Sequence, residues 1–167
     1  KSDSDVRMNF PNSHRVNTIY GEISDIDLDN QIVSVGQTKV DYSELIIGLG
    51  CEDKYHNVPG AKEYTHSIQT LSKARETFHS ISELPKGARV GIVGAGLSGI
   101  ELASELRESR TDLEIILYDR GPRILRNFPE KLSNYIAKWF RENNVNVVPN
   151  SLIDKVEQGR IYNGGTP

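Results

Sequence analysis

Between residues 88 and 148 the chain alternates two kinds of apolar spacing. ARVGIV (88–93), LEIILYD (113–119) and VNVVP (145–149) are short apolar runs that read as strands. GLSGIELASELRES (96–109) and PEKLSNYIAKWFREN (129–143) lie between and after them and read as helices. In the second helix Leu132, Tyr135, Ile136, Trp139 and Phe140 share one face, and Pro129 suits the first turn. Strand and helix in alternation predict an α/β fold, a Rossmann-like doubly wound parallel sheet. LIDKVEQGRIYN (152–163) adds a hairpin.

Upstream the periods change. IQTLSKARETFHSISEL (68–84) places Ile68, Leu71, Ala74, Arg75, Phe78, Ile81 and Leu84 mostly at helical spacing, and Pro85-Lys86-Gly87 stops that helix. Residues 16–50 hold short runs of Val, Ile and Tyr broken by Gly, Asp and Asn, the pattern of a small meander of three or four strands. Its last run, ELIIGLG (44–50), is apolar throughout, like a strand buried on both faces. NVPGA (57–61) reads as a turn or linker, and the polar residues 1–15 as loop.

Composition narrows the function classes. A net charge of −3 gives no case for nucleic acid or for an anionic membrane. The single cysteine, Cys51, excludes an internal disulfide and a cysteine-rich metal site, and reads as a buried or half-buried inert thiol. His14, His56, His66 and His79 have no partner at metal-ligand spacing, so no metal is expected. The acids of ELRESRTDLE (105–114) read as a solvated helix end, and Trp139 and Phe140 as core against the sheet. The start without Met and the hairpin turn at the close read as an excerpt from a longer protein.

The chemistry sits in VGIVGAGLSGIELASEL (90–106). Gly94, Gly96 and Gly99 stand in G-x-G-x-x-G register, with a strand before them, a helix after them and Asp119 at the end of the next strand. In such a motif Gly94 permits the tight turn, Gly96 lets a pyrophosphate approach the backbone, and Gly99 lets helix and strand pack closely. With Ala95 in the turn, Leu97 and Ser98 lie in the first helical turn and offer N–H groups to phosphate. Asp119 is placed to accept from the adenosine ribose hydroxyls and disfavours a 2′-phosphate, whereas Arg120 beside it can pair with one. Glu101, read as lying on the first helical turn, is either a solvated acid that suits the helix dipole or a group near the nicotinamide.

With the following LYDRGPRILRNFPEKLSNYIAKWFRENNVNVV, this stretch resembles the nicotinamide-binding domain of the pyridine nucleotide-disulfide oxidoreductase superfamily. VDYSELIIGLGCEDKYHNVPGAKEY (40–64) is similar to that superfamily's second flavin-domain motif, with Gly48-Leu49-Gly50 where many members read Ala-Thr-Gly. Within the superfamily the chain most resembles type II NADH dehydrogenases, FAD-containing NADH:quinone oxidoreductases of the cytoplasmic membrane. The resemblance implies that residues 1–62 are the C-terminal part of a flavin-binding domain and 63–167 an NAD(H)-binding domain cut before its final strand. It implies that Glu101 faces the nicotinamide–flavin contact, and that Gly48 and Gly50 lie beside the flavin in the parent but are structural in this chain. The expected cofactors are NAD(H) here and FAD in the full-length parent. The expected partners are NADH and, through regions outside this chain, a quinone. No catalytic acid–base residue is expected on this piece, and little or no turnover by it alone. Two alternatives stay open: a non-catalytic dinucleotide-binding redox sensor, and a fragment of a coenzyme A-disulfide reductase or NADH oxidase type of flavoenzyme. A homodimer through exposed strands is a further expectation.

Overall fold

The computed structural model describes residues 14–166. The chain divides between Gly50 and Cys51 into two compact units.

In the first unit three short strands form an antiparallel meander in the order β1 (Ile23–Asp27), β2 (Ile32–Val35), β3 (Thr38–Asp41). The β1–β2 turn is set by Asp27. Its Oδ1 accepts from the Asn30 backbone N–H at 2.9 Å and its Oδ2 from Asn30 Nδ2 at 2.8 Å. Those bonds hold its carboxyl below the ordinary value, the side-chain bond from Asn30 being the larger cause. Gln31 completes the turn at φ 56°, and Gly36 turns β2 into β3 at φ 59°.

ELIIGLG is not the doubly buried strand its composition predicts. No strand is formed over 44–50, and Ile46, Ile47 and Leu49 are exposed by 94%, 61% and 73%. A doubly buried strand needs a hydrogen-bonding neighbour and an apolar layer on each face, and the described residues supply neither. None of residues 14–50 is buried. The meander has only half-buried side chains to support its ladder hydrogen bonds, and such ladders open readily. Its amides, Val33 and Val40 among them, are expected to exchange with deuterium at least ~100-fold faster than those of Ile115 and Leu117 in the second unit. Mass-resolved hydrogen exchange measures this directly.

The second unit carries a three-stranded parallel sheet in the order β4 (Arg89–Val93), β5 (Glu114–Tyr118), β6 (Val145–Val148). Helix α3 (Leu97–Ser109) connects the first pair and α4 (Glu130–Glu142) the second. This is the predicted α/β alternation. Ile115 and Leu117 are closed off almost completely, and Ile92, Ala103, Ile124, Leu125, Phe140 and Val145 complete one core around them. Trp139 meets Phe140 edge-on at 5.6 Å between centroids. The inward face of α4 is rotated from the predicted one: Ser133, Ile136, Ala137 and Phe140 point in, while Leu132 and Tyr135 are exposed. Ser133 is buried because its Oγ donates to Ile124 O at 2.7 Å. Pro129 stands one residue earlier than expected, at the N-cap.

Ahead of the sheet lie α1 (Ala61–Tyr64) and α2 (Leu71–Ser82). Thr70 caps α2, its Oγ1 accepting from Lys73 N at 3.3 Å. The buried residue of α2 is Thr77, which donates to Ser67 O at 2.7 Å, and Phe78 is 74% exposed instead. The NVPGA turn docks on the predicted hairpin of β7 (Ile153–Glu157) and β8 (Arg160–Asn163), with Val156 N donating to Pro59 O at 2.9 Å. Ala61, Ile153 and Val156 form a second small core there. Gly60 is required: its φ is 74°, and a Cβ would stand 2.0 Å from Val156 O.

Two arginines join the helix ends to the sheet. Arg107 is buried near the end of α3 and donates to the carbonyls of Thr111, Leu113 and Asn144. Arg110 bonds Ile81 O and Leu84 O and grips Asp112 with both forks, at 2.8 and 2.9 Å. The Arg110 hydrogen bonds to its carboxylate are the main cause that pulls Asp112 down to about 2. An unfolded chain returns this carboxyl to about 4 and so binds more protons at acid pH. The contribution is complete above pH ~4 and is lost as pH falls from there to ~2. Arg110→Ala is expected to flatten that acid limb in a series of urea midpoints taken against pH.

Candidate dinucleotide site

In a parallel sheet every strand ends on the same side, and the loops leaving those ends meet. Val93, Tyr118 and Val148 stand in register as the last residues of the three strands. The chain therefore brings together Gly94–Gly96, the segment 119–128 and residues 149–151. Three backbone bonds fix them: Gly94 N to Tyr118 O (2.7 Å), Asp119 N to Val148 O (3.1 Å) and Ser151 N to Asp119 O (2.8 Å).

The three glycines answer to different demands. Gly94 turns off the strand at φ 106°, a conformation that L side chains rarely adopt. Gly99 lies against that turn, and a Cβ on it would stand 1.9 Å from Gly94 O. Gly96 has an ordinary extended backbone (φ −78°, ψ −172°), and a Cβ there would meet nothing within 4 Å. Gly96 is also the N-cap of α3, and no side chain caps that helix. The first helical bond recorded at this end is Ile100 N to Gly96 O, at 3.1 Å. The amide donors of Leu97 and Ser98 precede it, at the positive end of the helix dipole.

Asp119 is bonded within the fold. Its Oδ2 accepts from Ala95 N at 2.7 Å and its Oδ1 from Gly121 N at 2.6 Å. The carboxylate thus brackets the glycine loop against the turn that follows β5. Two accepted bonds use part of its capacity, because an ionised carboxylate offers about four lone-pair directions.

The next segment, GPRILRNF (121–128), is held from inside. Leu125 N donates to Ala95 O at 2.9 Å, with Leu125 itself buried in the left-handed region at φ 48°. That conformation costs a bulky residue about 1–2 kcal/mol, and the segment's bonds hold it. Arg123 donates to the carbonyls of Leu125, Arg126 and Phe128 at 2.9–3.1 Å. A cavity of ≈ 240 Å³ opens between this segment and the glycine loop. It is lined by Ala95 and Gly96 from the loop, by Asp119 and Arg120, and by residues 125–128.

Four predicted residues, Ala95, Gly96, Asp119 and Arg120, therefore line one cavity, with Gly94, Leu97, Ser98 and Gly99 adjoining it in the chain. Glu101 does not belong to the first helical turn. It is the fifth residue of α3, because the helix starts only at Leu97, and it is exposed. Sequence reading missed Arg123, Arg126, Asn127 and Phe128. Their signal was a Gly-Pro turn followed by two arginines before the next helix. Cys51 is exposed rather than buried, its Sγ donating to Gln69 Oε1 at 3.2 Å. Among the described residues no group of His, Cys, Asp and Glu is placed to hold a metal ion.

The family model described as pyridine nucleotide-disulphide oxidoreductase matches residues 6–163. The chain belongs to that family. It is 53% identical to the NADH dehydrogenase-like protein YutJ of Bacillus subtilis over 167 residues, which is 99% of this chain and 47% of YutJ. It is 23% identical to the type II NADH:quinone oxidoreductase of Staphylococcus aureus (strain NCTC 8325), over 78% of this chain and 38% of that protein. In fold it is similar to NDH2 from Plasmodium falciparum, solved in complex with NADH, at a TM-score of 0.62 and 20% identity, covering 82% of this chain and 34% of that one. The chain thus spans less than half the length of these relatives. As a family member it has the Rossmann-like α/β fold of an oxidoreductase family.

Proposed function

We propose that the chain is the NADH-binding portion of an FAD-dependent NADH dehydrogenase, which passes hydride from NADH to FAD and electrons on to a quinone. Gly96 carries this reading. The fold has no need of a glycine there, since its backbone is ordinary and its surroundings are open. A ligand that must touch the backbone does need one. The uncapped start of α3, the adjoining cavity and the names of the relatives support the same reading.

Bound NADH and FAD would supply the redox chemistry, hydride leaving the nicotinamide C4 for the flavin N5. The residues of this chain would bind and orient. Leu97 and Ser98 N–H groups face the pyrophosphate at the helix N-terminus. Asp119 uses its remaining lone pairs on the adenosine ribose, and Glu101 lies toward the nicotinamide end. FAD belongs to the whole protein, with residues 1–62 as the last part of its domain. By its resemblance to type II NADH dehydrogenases we place the whole protein at the cytoplasmic face of the membrane, attached peripherally; no helix among the described residues is long and apolar enough to cross a membrane.

Calorimetric titration of the chain with NADH tests the proposal. Saturable 1:1 binding that Gly96→Ala weakens supports it. Absence of binding by a chain that still melts cooperatively refutes it.

A further inference from the structure

We propose that the cavity accepts NADPH as well as NADH, with Arg120 and Arg126 as the pair that receives the 2′-phosphate. This rests on the dinucleotide reading above and extends it to the choice of dinucleotide. An acid at the end of the second parallel strand ordinarily selects against NADPH by repelling the extra phosphate. Three observations set this site apart from that rule.

Asp119 is committed first to the fold. Both of its oxygens accept short bonds from backbone amides, those of Ala95 and Gly121. Amide donors pointed at a carboxylate offset part of its field, so its repulsion of a nearby phosphate is weaker than that of an unbonded acid. The cavity wall also carries two cations to this one anion. Arg120 follows Asp119 directly. Arg126 returns to the same place, since a Cβ built on Gly121 would lie 2.9 Å from Asp119 Oδ1 and 3.3 Å from Arg126 Cδ. Both arginines are exposed, and among the described residues neither is paired with a carboxylate. Finally, the backbone that presents Arg126 is fixed in advance by the three carbonyl bonds of Arg123 and by Leu125 N to Ala95 O. A planar guanidinium carried on a fixed backbone and free of internal ion pairs is suited to a phosphate dianion.

The test is titration of the chain with NADH and with NADPH, at low and at high salt, and with 2′,5′-ADP against 5′-ADP as adenosine-end probes. NADPH is expected to bind within about tenfold of NADH, and its affinity to fall more steeply with salt. 2′,5′-ADP is expected to bind more tightly than 5′-ADP. The double variant Arg120→Ala/Arg126→Ala is expected to raise the NADPH-to-NADH ratio of Kd by about tenfold or more, with Arg126→Lys falling between. Thermal melting of each sample checks that the variants fold. NADH binding with NADPH weaker by about 100-fold or more, or a ratio the double variant leaves unchanged, overturns the inference and leaves the NADH reading intact. A folded chain that binds neither dinucleotide overturns both.

Discussion

Gly99→Ala is expected to destabilise the second unit by about 3 kcal/mol or more, whereas Gly96→Ala is expected to leave stability within about 1 kcal/mol. The two changes add the same methyl group three residues apart in one motif. At Gly99 the new Cβ would stand 1.9 Å from the carbonyl oxygen of Gly94. That oxygen is backbone and cannot swing aside. The turn it belongs to is tied to β5 through Gly94 N and Tyr118 O, and is held at a φ that only glycine adopts readily. The helix must move off the sheet, opening the core around Ala103 and Ile92, and NADH binding is lost with it. At Gly96 the methyl meets nothing within 4 Å and the backbone suits any residue. Alanine is a poorer N-cap than glycine but restricts the unfolded chain, and the two effects are similar in size and opposite in sign. Its effect falls on the ligand: NADH affinity is expected to drop by about tenfold or more, because the methyl occupies the approach to the first helical amides. Urea midpoints and calorimetric titration of both variants separate the effects. A Gly96→Ala chain that binds NADH like the parent contradicts the proposed approach of the pyrophosphate.

What could be read from the sequence, and what could not, divides along the same physical line. The glycine register and the strand–helix alternation were legible because backbone geometry dictates them. A left-handed turn at Gly94 and a close approach at Gly99 leave few alternatives to glycine. Helix faces were less legible, since apolar spacing gives the period but not the phase. Thr77 displaced Phe78 from the interior because a hydroxyl that finds Ser67 O is buried at little penalty, and Ser133 did the same in α4. ELIIGLG misled for a different reason: an apolar run states what a strand would bury, not whether a partner is there to cover it. The arginine clamp was missed altogether. Arg123 and Arg126 are three residues apart with the same chemistry, yet one turns inward to three carbonyls and the other lines the cavity. Between them lies Leu125 with a positive φ, in a residue type that does not announce it.

Asp119 brings structure and recognition into one side chain, and its removal is expected to lower both. In Asp119→Ala the amides of Ala95 and Gly121 lose their acceptors, and both residues are buried. A buried donor left without a partner costs about 1–3 kcal/mol, so a loss of roughly 2–6 kcal/mol is expected for the pair, toward the lower end where water reaches the vacated site. Asparagine is not a remedy. It offers one oxygen to two donors, and its NH₂ group would face the second N–H. Asp119→Asn should therefore be destabilised as well, despite its equal size. NADH affinity should fall in both variants, through a loosened glycine loop and through the loss of a ribose acceptor. Stability and affinity measured on the same samples decide between those routes. If Asp119→Asn keeps the parent's urea midpoint and loses only NADH, the carboxylate serves the ribose alone and the bracket it forms between Ala95 and Gly121 is incidental. If the midpoint falls along with the affinity, the acid that reads the cofactor is also the clasp that shapes its cradle. Substituting it to change cofactor preference would then undo the site, and the exposed Arg120 and Arg126 would be the positions at which preference can be altered with the loop intact.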